Sequence, residues 1–151
     1  MICVCKEDCF HIGVKALIRN NEGKLLLLQG NSQDLKNTNG GYWDIPEGRI
    51  QRKESLEDGL KREVYEETGL QNLMFLRPFV MVLSSIRIPV QNGDVGLIFA
   101  TYLCDVVGDR AVQLSNEHMH FDWFEPGRVA ELLTISYPIE FIEKLKRLLT
   151  D

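Results

Sequence analysis

The sequence predicts one domain of mixed helix and strand, α/β in the broad sense with an α+β arrangement of elements. Three observations carry that reading. Apolar residues alternate between Phe10 and Arg19, and they recur every four residues between Glu54 and Thr68. The length of 151 residues, 44% hydrophobic and 26% charged, is that of a single ordinary globular domain spanning residues 1–151. A chain of this length buries roughly 70% of the surface its unfolded form exposes, enough for a core without disulfides.

In chain order, Ile12, Val14, Ala16 and Ile18 fall on one side of a strand over Phe10 to Arg19. Asn20, Asn21, Glu22 and Gly23 form a turn, and the leucine-dominated run Lys24 to Gln29 is the return strand of a hairpin, covered on both faces. Gly30 to Gly41 is polar throughout and reads as an exposed loop of a length that often serves ligands. Tyr42, Trp43 and Ile45 resume apolar structure before Pro46. Leu56, Leu60 and Val64 mark an amphipathic helix from Glu54 to Thr68, stopped by Gly69. Gly59 inside it costs about 1 kcal/mol relative to Ala, which implies close packing against the sheet. Leu73 to Val90 and Val95 to Cys104 are strands joined by a turn at Gln91 to Asp94, with Pro78 and Pro89 fraying the first. Phe121 to Phe124 is a short strand. Pro126 opens a helix through Val129 to Leu133, and Pro138 to Leu149 carries apolar residues at helical spacing. No repeat or linker divides the chain.

The charge balance narrows the partners. Lys and Arg number 17 against 22 Asp and Glu, a net charge of -5, so nothing draws the whole surface toward nucleic-acid phosphates or anionic membranes. No nucleic-acid partner is expected. Every apolar run falls short of the ~20 residues a bilayer-spanning helix needs. Lys6, Glu7 and Asp8 interrupt the place where a secretory signal carries its apolar stretch, which points to the cytoplasm. Of the four cysteines, Cys3, Cys5 and Cys9 crowd the N-terminus with His11. Their spacing lacks the usual zinc knuckle, so they read as reduced thiols, with a zinc set as the alternative.

Chemistry concentrates on the first helix. Glu63, Glu66 and Glu67 stand at i, i+3 and i+4, so their carboxylates project from one face within reach of a common point. Such neighbours repel, and a divalent cation turns that repulsion into attraction; oxygen ligands favour Mg²⁺, with Mn²⁺ as a substitute. The alternative for an isolated acidic triplet is a solvated face.

The surrounding frame decides between them. Gly48, Glu54, Arg62, Glu63, Val64, Glu66, Glu67, Gly69 and Leu70 spell G-x5-E-x7-R-E-U-x-E-E-x-G-U, where U is aliphatic. Its seven fixed residues would match by chance about once in 10⁹ starting positions. This pattern resembles the Nudix box, complete over residues 48–70, and the order of elements around it resembles the rest of a Nudix hydrolase domain. The resemblance implies an α/β/α sandwich with a mixed β-sheet. Two positions depart from the usual pattern: Glu47 and Lys53 stand where members commonly have glycine. If the backbone at residue 53 requires positive φ, Lys53 carries strain that Gly would not.

The resemblance further implies a pyrophosphohydrolase that uses Mg²⁺ and water to cleave the diphosphate linkage of a nucleoside diphosphate derivative. Glu63, Glu66 and Glu67 would hold the metal together with the carbonyl of Gly48. Arg62 would orient a glutamate, with Glu54 as its partner. Glu117, in the segment Ser115 to His120, is the first choice of proton acceptor, with Glu63 or Glu67 as alternatives. Tyr42 is the candidate for stacking on a nucleobase, whereas His11, His118 and His120 read as structural or solvated. The sequence carries no landmark of ADP-ribose, dinucleotide or coenzyme A hydrolases. That favours a nucleoside triphosphate pyrophosphohydrolase acting on a small-molecule nucleotide. An ADP-ribose or nucleotide-sugar pyrophosphatase and a catalytically silent nucleotide sensor are the alternatives, and an RNA-end processing enzyme is disfavoured by the acidic balance. Related proteins are frequently homodimers.

Overall fold

Alternation along a strand decides which helix each side chain meets, and the computed structural model shows this directly. It describes residues 6–30, 42–107 and 111–148. In chain order the elements are β1 (Phe10–Arg19), β2 (Leu25–Gly30), β3 (Trp43–Asp44), β4 (Glu47–Arg49), α1 (Leu56–Thr68), β5 (Leu73–Leu83), β6 (Ile88–Val90), β7 (Gly93–Val106), β8 (His118–Phe124), α2 (Pro126–Leu133) and α3 (Ile139–Arg147). The sheet runs β3-β2-β1-β7-β5, with β8 added to β2, β4 to β1 and β6 to β7. β1 and β7 are parallel from Phe10 beside Gly96 to Arg19 beside Asp105, and the other pairings are antiparallel, so the sheet is mixed.

Each face of the sheet carries a helical layer. Val14, Ala16 and Ile18 of β1, with Leu26 and Leu28 of β2, pack with Leu60 and Val64 of α1. Leu17 of β1, with Leu25 and Leu27 of β2, packs on the opposite side with Val129 and Leu133 of α2 and Phe141 and Leu145 of α3. The four leucines of β2 are fully buried, two toward each layer. Each such side chain contributes about 1.5–3 kcal/mol on burial. This explains why the run from Leu25 to Leu28 shows no polar alternation: it has no solvent face.

Several boundaries move from the sequence reading for identifiable reasons. α1 starts at Leu56 because Ser55 caps it, its Oγ accepting from the Asp58 N–H at 3.1 Å. The long strand expected from Leu73 to Val90 is two, β5 and β6. Pairing of β5 with β7 also slips a register between Pro78 and Val80, as expected where proline has no N–H to give. β6 and β7 turn tightly, with Val90 opposite Gly93. β8 reaches back to His118 because the exposed edge of β2 pairs with it along that length. β4 carries no periodic apolar signal and exists because Glu47, Gly48 and Arg49 pair with Lys15, Val14 and Gly13. Gly59 is tightly approached, but by the side chains of Ile50 and Glu54 and not by the sheet; a Cβ there would lie 2.3 Å from Ile50 Cδ1. The loop expected over Gly30 to Gly41 lies, beyond Gly30 itself, outside the described residues, as do Cys3 and Cys5.

The backbone at Lys53 does adopt positive φ, at 67°. A left-handed conformation costs a residue with a Cβ about 1–2 kcal/mol, partly offset by the greater unfolded-state entropy of glycine. Lys53→Gly is therefore expected to stabilise the protein by about 0.5–1 kcal/mol, a rise of about 2–3 °C in Tm by calorimetry. A lower Tm would show that the Lys53 side chain contributes more than its backbone strain costs.

Candidate active site

The site forms where β4 passes the face of α1. Gly48 lies so close to Glu63 that an added Cβ would sit 1.8 Å from the Glu63 carboxyl carbon. Only glycine lets the strand backbone, and with it the Gly48 peptide, approach the acidic helix this closely. The spacing of Glu54 and Arg62 has an equally direct cause. Arg62 Nε and Nη2 donate to the two Glu54 oxygens at 2.7 and 3.0 Å, a bidentate pair closing the loop before α1 onto the helix. Glu54 also accepts from the Gln51 N–H at 3.0 Å. These bonds, that of Arg62 foremost, hold the Glu54 carboxyl down at about 2.

Arg62 spends its remaining donors on the same cluster. Nη1 donates to Glu63 Oε1 at 2.7 Å and reaches Glu66 at 3.5 Å, while Nη2 also donates to the Arg49 carbonyl at 3.1 Å. One guanidinium thus ties together β4, the following loop and two acidic positions of α1. The structure matches the expected pairing of Arg62 with Glu54 and adds Glu63 to it.

Glu67 stands apart from the other two helix acids. It is 6% exposed and accepts from the Glu47 N–H at 3.3 Å. Burial, reinforced by the negative charges of Glu47, Glu63 and Glu117, pushes its carboxyl up to about 8. Burial likewise raises Glu47, even against the attraction of Lys15.

These groups open onto a cavity of about 790 Å³ whose walls include Tyr42, Asp44, Glu63, Glu67, Arg87 and Glu117. Gly48 also lines it, but Glu66 does not; the Glu66 side chain is 56% exposed at the outer side of Arg62. The three carboxylates expected to share a point therefore do not converge in this arrangement, and among the described residues no three acidic, histidine or cysteine side chains are gathered to hold a metal ion. Glu63 and Glu66 are instead turned to Arg62. Glu117 is exposed at the cavity wall, its N–H donating to Ser115 Oγ at 3.4 Å. Trp43, beside Tyr42, packs edge-on against Phe124 with centroids 5.0 Å apart.

The residues present nonetheless suit a hard dication. The donor set is all oxygen, the Gly48 backbone lies against the Glu63 carboxylate, and the buried Glu67 carboxylate is so poorly balanced that it favours a proton near neutrality.

Sequence reasoning set His118 aside as structural or solvated and did not weigh Lys15. His118 lines the cavity, and its Nδ1 is buried with no hydrogen-bond partner among the described residues; burial lowers its basicity. Lys15 is buried at 4% exposure within β1. Its signal was available: a lysine amid the apolar run Val14 to Ile18 must find a counter-charge.

Similarity to known proteins points to one family. A family model described as NUDIX domain matches residues 10–145. A MutT-like protein of Streptomyces ambofaciens is 27% identical over 134 residues, covering 89% of this chain and 76% of its own. A putative 8-oxo-dGTP diphosphatase of Bacillus subtilis is 24% identical over 139 residues, covering 92% of this chain and 77% of its own. The crystal structure of a MutT protein from Methanosarcina mazei Go1 superposes with a TM-score of 0.60 at 28% identity, covering 95% of each chain.

Proposed function

The chain belongs to the Nudix family, and from that membership we propose that it hydrolyses nucleoside triphosphates at a diphosphate linkage, releasing pyrophosphate, with Mg²⁺ as cofactor and Mn²⁺ as substitute. The observation that carries this is the buried Glu67, beside Glu63 and the glycine-pinned β4 backbone, at the wall of a cavity of about 790 Å³. The relative named as a putative 8-oxo-dGTP diphosphatase supports a triphosphate as substrate.

Glu63, Glu66 and Glu67, with the Gly48 carbonyl, would hold the cation, which supplies positive charge against the phosphate oxygens and makes water easier to deprotonate. For Glu63 and Glu66 to take part, Arg62 must release part of its grip while keeping Glu54. The bidentate Glu54 pair at 2.7 and 3.0 Å is the stronger attachment, so Arg62 stays in place as the helix acids turn. With its carboxylate holding the cation, Glu67 would be a poorer proton acceptor than a free carboxylate. Glu117, exposed at the same cavity, is left to take the proton of the attacking water. Tyr42 at the cavity wall provides an aromatic face for the nucleobase.

The test is a panel of nucleoside triphosphates, ADP-ribose and nucleotide sugars assayed with Mg²⁺ and with Mn²⁺, products identified, beside Glu117→Gln. Pyrophosphate from a triphosphate is expected, with kcat lowered about 10²–10⁴-fold by Glu117→Gln, the range for loss of general base catalysis. Inertness across the panel would favour a nucleotide sensor, preferential cleavage of ADP-ribose would reassign the substrate, and unchanged turnover in the variant would remove Glu117 from the proton path.

A further inference from the structure

Lys15 has a set of partners that a buried ammonium requires and that point at the active site. Its Nζ donates to Tyr137 Oη at 2.6 Å, lies 2.9 Å from Glu47 Oε2 and 3.6 Å from Asp44 Oδ2, and sits 4.1 Å from the Phe99 ring centroid. Asp44 is already engaged, accepting from the Tyr137 hydroxyl and from the Ile45 N–H. Glu47 is thus the carboxylate that Lys15 contacts most closely. The pair is adjacent across the ladder as well, since Lys15 of β1 stands opposite Glu47 of β4.

Glu47 is an awkward residue for its place. It precedes Gly48, its N–H supports Glu67, and its side chain lines the cavity with Glu63 and Glu67, whose charges repel it. A carboxylate so placed is a competing ligand for any cation the helix acids gather, because hard cations take whatever carboxylate oxygens are in reach. We propose that Lys15 is a positioning residue that clamps the Glu47 side chain away from the cation site, so that Glu63, Glu66 and Glu67 alone supply its carboxylates. The inference rests on the metal-dependent reading given above. A residue without a carboxylate at position 47 needs no such clamp, and this makes the idea separable from a purely structural role for Lys15.

The experiment follows Mn²⁺ binding by the electron paramagnetic resonance signal of the free ion, together with kcat and KM on the best triphosphate, in the unaltered protein and in Lys15→Met, Glu47→Gly and the double variant. With Lys15→Met, Glu47 is released to the cation: Mn²⁺ is expected to bind about fivefold or more tightly while kcat falls about 30-fold and KM changes little, as when a ligand set is misplaced by about an ångström. In the double variant both quantities are expected to return to within about threefold of Glu47→Gly alone, the non-additivity that marks a direct coupling. A double variant as slow as Lys15→Met, or a Lys15→Met protein with unaltered Mn²⁺ affinity and kcat, overturns the clamp. If Lys15→Met does not fold, the double variant is expected to fold and turn over, and its failure to fold also overturns the clamp. Absence of both Mn²⁺ binding and turnover in the unaltered protein would bring down the functional reading itself; normal behaviour there with no recovery in the double variant removes this inference alone.

Discussion

Glu67→Gln is expected to lower kcat by about 10³-fold or more, a loss of about 4 kcal/mol of transition-state stabilisation, while leaving the fold intact. The substitution keeps the size of the side chain and its acceptor for the Glu47 N–H at 3.3 Å, so packing gives no reason for collapse. What it removes is the one helix acid that is both buried and turned into the cavity. Glu63 and Glu66 are the other two carboxylates of the proposed cation site, so neither is spare to replace it. Because the variant no longer buries an ionisable carboxyl, it is also expected to be more stable than the parent at pH 8 in the absence of metal, an exchange of activity for stability typical of functional sites. Chemical denaturation at pH 8 with a chelator, beside single-turnover kinetics with Mg²⁺, reads both effects. A variant with near-normal kcat would show that Glu67 is no more than a structural acid.

The parts of this site that could be read from the sequence are those that local geometry controls. Helix periodicity put Glu63 and Glu67 on one face, while the partnership of Arg62 with Glu54 was what the resemblance to the Nudix box implied; the structure places Arg62 against both Glu54 and Glu63. At Lys53, where the family commonly has glycine, the sequence raised strain only as a condition on the backbone, and the φ of 67° meets that condition. The alternation from Ile12 to Ile18 put these residues on one side of β1, and the structure packs Val14, Ala16 and Ile18 of that side with α1, because each strand residue points opposite to the next.

What stayed hidden depends on pairing across long stretches of chain. Lys15 and Tyr137 are 122 residues apart and meet only when α3 is docked against the sheet. β4 is a strand because β1 lies beside it, and nothing in Glu47, Gly48 and Arg49 signals that partner. The convergence of Glu63, Glu66 and Glu67 was inferred from helical spacing, yet the rotamers are set by Arg62, which draws two of them aside. Spacing tells which side chains share a face; their competing partners decide where the carboxylates point.

The metal-free protein is expected to lose stability as pH rises from about 6.5 to about 8, by about 2 kcal/mol, because Glu67 changes protonation at different pH in the folded and unfolded chain. Its carboxyl is pushed up from 4.5 to about 8 by burial and neighbouring charge. Between those values the folded state holds a proton that the unfolded state has released, so each step toward alkaline pH favours unfolding. Burial of Glu47 acts in the same direction. His118 acts in the opposite direction, since its basicity is lowered on folding from 6.5, and acid below that value favours the unfolded chain. The alkaline decline is therefore unopposed by His118 only above about pH 6.5. Glu54, held at about 2, contributes stability above its ordinary 4.5 that is lost as acid carries the pH down through about 2. For a chain of this length the alkaline decline corresponds to a fall of about 4–8 °C in Tm. A cation that binds the folded Glu67 carboxylate replaces the proton and stabilises the native state in proportion to its affinity. Saturating Mg²⁺ should flatten the slope between pH 6.5 and 8, and Glu67→Gln should flatten it without metal. Calorimetric scans across that range, in chelator and in Mg²⁺, test both; an alkaline decline of equal size in the parent and in Glu67→Gln would place its origin outside this carboxyl.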